Sequence, residues 1–196
     1  MHVTQYKTPE HTADPWNLYY DSNSRLLSLT DPESRRTDLA YNADGLLTKI
    51  TRDPTTLNLQ TTYDRDPFGA VTKVTDGEGN ETTIARDLLG YVTKVTSPEG
   101  HETDYSYDKN GLVTQVLQDH GNGDITTNSE HKHTVEYNRL DLVTKVKQHY
   151  GASFASSREW AYAYDDEDRV TLITLPVSAR KIQVTYDERG LELGLS

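Results

Sequence analysis

Apolar and polar positions recur along this chain in one short frame. With Tyr107 as position 0, the frame is Tyr107, Asp108, Gly111 at +4, Val113 at +6, Thr114 at +7 and Val116 at +9. It holds for Tyr41 with Asn42, Gly45, Leu47, Thr48 and Ile50, and for Arg65 with Asp66, Gly69, Val71, Thr72 and Val74. It holds again for Arg86 with Asp87, Gly90, Val92, Thr93 and Val95. Tyr137 is followed by Asn138, Val143, Thr144 and Val146, and Tyr164 by Asp165, Val170, Thr171 and Ile173. Tyr20 with Asp21, Leu26 and Leu29 is a looser first copy, and Tyr186 with Asp187 and Gly190 begins an incomplete last one. The interval is 21 residues from Tyr20 to Tyr41 and 30 from Tyr107 to Tyr137, the extra residues falling after +9. A short fixed period marks a repeat architecture, with insertions mapping to loops.

Each repeat reads as two strands and two turns. Ile182-Gln183-Val184-Thr185-Tyr186 alternates apolar and polar up to position 0, and Trp160-Ala161-Tyr162-Ala163-Tyr164 alternates large and small. Period-two alternation of aromatic and β-branched residues predicts a strand. Asp108 to Gly111, Asn42 to Gly45 and Asp187 to Gly190 predict tight turns, because Asx side chains bond nearby backbone and Gly accepts positive φ. Asp141 and Asp168 stand at the +4 position in two repeats, where Asp substitutes tolerably.

The apolar +6 and +9 positions lie three apart, which suits a helix or a bulged strand. The Thr and Val content and the preceding Gly favour a strand with a bulge. A second turn follows at Asp31-Pro32-Glu33-Ser34, Asp53-Pro54-Thr55, Asp76-Gly77-Glu78-Gly79 and Ser97-Pro98-Glu99-Gly100. One hairpin is too small to stand alone. The expected fold is therefore all-β: stacked antiparallel hairpins forming a curved, spiralling sheet. Residues 1–19 are read as a polar lead-in and 20–196 as the array of about eight repeats, the last incomplete.

Composition fits a thin sheet better than a ball. Hydrophobic residues are 34%, and 13 Tyr stand against 2 Phe and 1 Met. Tyr suits a half-buried surface, with an apolar ring and a polar tip. A net charge of -11 argues against nucleic acid, which wants a basic stripe. No apolar run is long enough to span a membrane, and the first residues carry no secretory signal pattern. With no Cys there are no disulfides or thiolate metal sites.

Candidate chemistry is thin. His131 and His133, with His120 and His149 nearby, fall short of a fixed metal geometry. The acidic runs Asp76 to Glu81 and Asp165 to Asp168 lack the EF-hand pattern. Ser153, Ser156 and Ser157 have no nucleophile setting, and His120-Gly121-Asn122-Gly123 no phosphate-loop context. No catalytic, cofactor or metal site is expected, and the protein is read as a non-enzyme. Lys49, Lys73, Lys94 and Lys145 recur at +8 and predict a charged ladder on one face beside acidic turns.

The frame Tyr-Asp-x-x-Gly-x-Leu/Val, the Asp/Ser-Pro/Gly-Glu-x-Gly turn and the x-Tyr-x-Tyr-Asp strand end resemble the YD repeat of rearrangement-hotspot (RHS) proteins, over residues 20–193. That family includes polymorphic bacterial toxins, the shell-forming parts of insecticidal toxin complexes, and teneurins. The resemblance implies a spiralling β-sheet that closes into a shell around a toxin or effector domain. It makes Tyr20, Tyr41, Tyr107, Tyr137, Tyr164 and Tyr186 wall-forming positions; Arg65 and Arg86 depart from the Tyr pattern but keep the following Asp. Asp66-Pro67-Phe68-Gly69 and Asp14-Pro15-Trp16-Asn17-Leu18 only partly echo the family's self-cleavage segment and read as turn chemistry. Implied partners are effector cargo, further repeats of the same shell, and other chains through open sheet edges. Implied location is secretion, including the type VI route, or display at the cell surface as part of a larger bacterial protein. The alternative is a carbohydrate- or cell-surface-binding module built on the Tyr-rich sheet.

Overall fold

The computed structural model describes residues 2–6, 16–118, 131–150, 154, 156–176 and 180–195. The insertion at 119–124, His120, Ser153 and Asp14-Pro15 lie outside them. The chain divides into two compact units, Met1–Ile84 and Ala85–Ser196.

The strands follow the repeat frame. Eight end on position 0: β2 (Trp16–Tyr20), β4 (Arg36–Tyr41), β6 (Leu59–Arg65), β8 (Glu81–Arg86), β10 (Glu102–Tyr107), β12 (His131–Tyr137), β14 (Ser156–Tyr164) and β16 (Lys181–Tyr186). Eight begin at +6: β3 (Leu26–Thr30), β5 (Leu47–Arg52), β7 (Val71–Thr75), β9 (Val92–Thr96), β11 (Val113–Gln118), β13 (Val143–Tyr150), β15 (Val170–Thr174) and β17 (Glu192–Leu195). The lead-in is not strandless: β1 (His2–Tyr6) pairs with β2 from His2↔Tyr20 to Tyr6↔Trp16.

In the first unit, consecutive strands pair antiparallel from β1 to β8. In the second they do so from β9 to β17. The all-β array of antiparallel hairpins is thus present in both, as the frame predicted.

The bulge is present too, which sets aside the helical reading of the +6/+9 spacing. Ala40 faces Lys49 while Tyr41 faces Leu47, so Thr48 at +7 has no residue opposite. The same shift occurs at Tyr20, Arg65, Tyr107, Tyr137, Tyr164 and Tyr186. The extra residue is a Thr in most repeats, and its hydroxyl bonds locally: Thr48 Oγ1 donates to the Ala40 carbonyl at 3.3 Å and Thr144 Oγ1 to Glu136 at 3.2 Å.

Skipping one residue returns both +6 and +9 to the face of position 0, because side chains otherwise alternate. That face carries pairs such as Leu39↔Ile50, Tyr63↔Val74, Val135↔Val146 and Tyr162↔Ile173. The other carries Asp64↔Lys73 and Glu136↔Lys145. Among the described residues Val184 is the one buried apolar side chain, with Ser28, Asp31 and Thr51 the buried polar ones. A half-buried apolar face explains the Tyr preference, since each ring keeps a polar tip.

Candidate functional site

The residues that recur are those that build one hairpin and fasten it to the next. The +1 side chain builds the turn. Asp108 Oδ1 accepts the N–H groups of Asn110 at 2.8 Å and Leu112 at 3.0 Å, while Gly111 N–H returns to the Asp108 carbonyl at 3.1 Å. Asp66, Asp87, Asn138, Asp165 and Asp187 make the same pair of side-chain bonds. The +4 residue has positive φ in all eight turns, with Ser24, Asp141 and Asp168 joining the five glycines. Asp76 repeats the device at a second turn, accepting from Glu78 and Asn80 at 2.9 Å each.

Position 0 fastens. The Tyr41 hydroxyl donates to the carbonyl of Leu26, the +6 residue of the preceding repeat, at 2.8 Å. Tyr107 does the same to Val92 at 2.8 Å, Tyr137 to Val113 at 2.8 Å, Tyr164 to Val143 at 2.6 Å and Tyr186 to Val170 at 2.9 Å. Burial raises the pKa of the Tyr107, Tyr137 and Tyr164 hydroxyls, keeping them protonated as donors. Arg65 keeps the contact with different chemistry: Nε and Nη2 both reach the Leu47 carbonyl, at 3.1 and 2.9 Å, and Nη1 reaches Gly69 at 2.8 Å. Arg86 Nη1 donates to the Gly90 carbonyl at 3.2 Å, and its buried Nε has no partner among the described residues. For Tyr20, the structure places the ring at the β2–β3 bulge.

A further contact involves +5. Arg25 lies over the Tyr41 ring at 5.2 Å and Arg169 over the Tyr186 ring at 4.7 Å, while Tyr91 stacks on Tyr107 at 5.0 Å between centroids. Each is the +5 residue of the preceding repeat. The same side chains occupy the space a Cβ would need at the following +4 glycine. Tyr91 Cζ would lie 2.6 Å from a Cβ on Gly111, Leu46 Cδ1 2.8 Å from one on Gly69, and Arg25 Nη1 3.3 Å from one on Gly45. Arg169 Nη1 would lie 3.2 Å from a Cβ on Gly190, whereas Gly90 faces open space. Asp165 holds Arg169 in place through Nε at 2.8 Å, which lowers the Asp165 pKa, chiefly by that side-chain bond.

The predicted lysine row exists, but its partners stand on strands rather than turns. Lys73 lies 3.3 Å from Asp64 and 2.9 Å from Glu81, and Lys94 contacts Glu102 and, at 3.6 Å, Asp104. Lys145 and Lys147 each contact both Glu136 and Glu159, at 3.4 to 3.9 Å. Lys49 faces Ala40 and Thr62. The cause is register: the bulge sets +8 opposite the residue before position 0.

The histidines divide between faces. Lys132 faces His149 while His133 faces Gln148, so His149 points opposite to His131 and His133. His149 Nε2 lies 3.0 Å from Thr134 Oγ1. Among the described residues no group of three or more His, Asp or Glu is arranged for a metal ion. Asp76 and Asp165 point their oxygens into their own turns. A shallow open groove beside Asp108, Lys109, Asn110, Glu136 and Arg139 mixes both charges, and Asn110 Nδ2 bridges two turns to Asp141 at 2.9 Å. The Asp66 segment is a turn, with Oδ1 accepting from Phe68 and Ala70.

An array in which side chains clasp most hairpins to the one before is a β-hairpin repeat protein. The RHS Repeat family model matches residues 20–57 and 86–125, so the chain carries RHS repeats. No curated protein matches it in sequence. Its structure is similar to the crystal structure of TcdB2-TccC3-Cdc42, with TM-score 0.68 and 16% identity over 91% of this chain and 10% of that one. It is also similar to TcdB2-TccC3, with TM-score 0.60 and 10% identity over 94% of this chain and 12% of that one. TcdB2-TccC3 without its hypervariable C-terminal region gives TM-score 0.59 and 11% identity, over the same shares. At these identities the likeness concerns the fold, and the chain spans about a tenth of the length of those structures.

The frame named positions 0, +1 and +4 but not what the hydroxyl meets, nor the role of +5. The signal for +5 was a long side chain one residue past the turn in most repeats, Arg25, Leu46, Tyr91, Leu112, Leu142 and Arg169, with Ala70 the exception.

Proposed function

We propose that the chain is a non-enzymatic wall segment of an RHS shell that encloses or presents a toxin or effector domain, in a secreted or surface-displayed bacterial protein. The carrying observation is the repeated clasp, in which position 0 donates to the preceding +6 carbonyl at Tyr41, Arg65, Tyr107, Tyr137, Tyr164 and Tyr186. Contacts made only between neighbours give a stiff array whose stability grows with each unit. The RHS repeats and the fold shared with TcdB2-TccC3 support a structural role. The charged face, with its lysines paired to strand acids, gives a wall that does not adhere to cargo through apolar contact.

Protease digestion of the complete natural polypeptide tests this reading. An effector domain inside the wall survives while the wall is intact and is cut at the rate of the free domain after the wall is unfolded. Cleavage at the free rate with the wall intact refutes it. The sugar-binding alternative needs open rings, whereas the position-0 hydroxyls are engaged and their rings half-buried. Selective capture of the isolated chain on a glycan array would reinstate it.

A further inference from the structure

The first repeat breaks the lysine row. Its +8 residue is Ser28, where later repeats place Lys49, Lys73, Lys94 and Lys145. Lys73, Lys94 and Lys145 each contact a glutamate on the next strand, Glu81, Glu102 and Glu159. Those glutamates all stand opposite +10, in the pairs Thr75↔Glu81, Thr96↔Glu102 and Lys147↔Glu159. The first repeat keeps the register, Thr30↔Arg36, but carries an arginine where the others carry the acid. The cation has moved to the strand that elsewhere supplies the anion. Asp38 faces Ser28 as Asp104 faces Lys94, and it accepts from Arg36 through Nε alone, at 2.7 Å. Both Nη groups of Arg36 are without a partner among the described residues.

Serine is too short to fill the place of a lysine. Tyr19, Ser28, Thr30 and Arg36 line a cavity of about 270 Å³ there. Ser28 is only 4% exposed, and the hydroxyls of Tyr19, Ser28 and Thr30 have no partner among the described residues. A buried hydroxyl left without a hydrogen bond costs stability. Three of them around one cavity, beside a guanidinium with free N–H groups, make a set of donors that packing does not explain.

We propose that this cavity binds a small oxyanion, phosphate or carboxylate. The Arg36 Nη groups meet two of its oxygens, a match that the planar guanidinium fork suits. The Ser28, Thr30 and Tyr19 hydroxyls donate to the oxygens as well. An ammonium is disfavoured, because Asp38 is already engaged and Arg36 would repel it. The bound anion completes, with the signs exchanged, the ion pair that lysine and glutamate make in the later repeats. This inference is independent of what the wall encloses.

The probes are inorganic phosphate and acetate, titrated separately into the whole chain at constant ionic strength set with chloride. Nitrogen-resolved NMR follows the Arg36 Nε–H and the Ser28 and Thr30 amides. Saturable shifts at these three are expected, and whichever of the two anions saturates them identifies the oxyanion. Ser28→Ala should weaken binding about tenfold, the worth of one hydrogen bond to a charged group. Arg36→Gln should abolish saturation while leaving the fold intact, since that side chain is 54% exposed. Tyr19→Phe removes one hydroxyl and keeps the half-buried ring, so it too should weaken binding. Saturation by neither anion overturns the proposal, as does unchanged affinity in the Ser28→Ala variant. So do equal shifts at Lys109 and Arg139, which would show an adventitious ion only.

Discussion

Arg65 approaches the Leu47 carbonyl with two N–H groups, at 3.1 and 2.9 Å, from the position where Tyr41 approaches Leu26 with one hydroxyl. Position 0 thus selects a donor that can reach a carbonyl at the start of the preceding strand, not an aromatic ring as such. Arg65→Tyr should keep most of the stability in urea unfolding, and Arg65→Met, similar in length but without a donor, should lower it. Equal stability of the Met variant would show that the guanidinium contributes only packing.

The Tyr164 hydroxyl donates to Val143 at 2.6 Å, and Tyr164→Phe removes only that oxygen. The expected loss is about 1 kcal/mol. For a chain of this size that lowers the melting temperature by roughly 2–4 °C. Thermal unfolding followed by circular dichroism reads it directly.

Gly90 and Gly111 separate backbone strain from crowding. Both have positive φ, +88° and +83°, but only Gly111 is covered by Tyr91. Gly90→Ala should cost about 1–2 kcal/mol, the left-handed penalty for a Cβ. Gly111→Ala should cost more, and adding Tyr91→Ala should recover the excess. A double-mutant cycle on the Gly111 and Tyr91 variants measures that coupling; a zero coupling would remove the crowding account.

Strong acid should loosen the turns. Asp165 is held below its usual range by the Arg169 side chain and backbone bonds, and Asp187 by the Leu191 backbone bond first. A carboxylate with a lowered folded pKa contributes stability above its unfolded value, near 3.8, and loses it as pH falls through the folded value. The carboxylate contribution should therefore be level near neutrality and fall below about pH 4. Asp165→Asn should keep the backbone bonds, as Asn138 does, and shrink the acid loss. A variant with an unaltered acid limb in pH-dependent unfolding would count against Asp165 as a source.

His149 should titrate below the ordinary 6.5, because burial, then Lys132, Lys147 and His133, disfavour the imidazolium. Its contribution is present above pH 6.5 and is lost as pH falls through the lowered value. Lys132→Gln should raise the midpoint seen by NMR of the ring proton.

The residue pattern alone settles what each repeat builds locally. Asp108 to Gly111 form a turn through bonds within five residues, and Thr114 is the bulge between two apolar positions, so strand ends and the all-β class were readable from spacing. Even β1 escaped that reading, because its pairing with β2 comes from a segment outside the frame. Folding beyond the single hairpin is needed to see that the Tyr137 hydroxyl meets Val113, that Tyr91 covers Gly111, and that Lys73 pairs with strand acids. Those contacts join residues on different hairpins, and their partners depend on how one hairpin is staggered against the next. The stagger is set by the ladder between them, where a slip of one residue would turn every side chain to the other face.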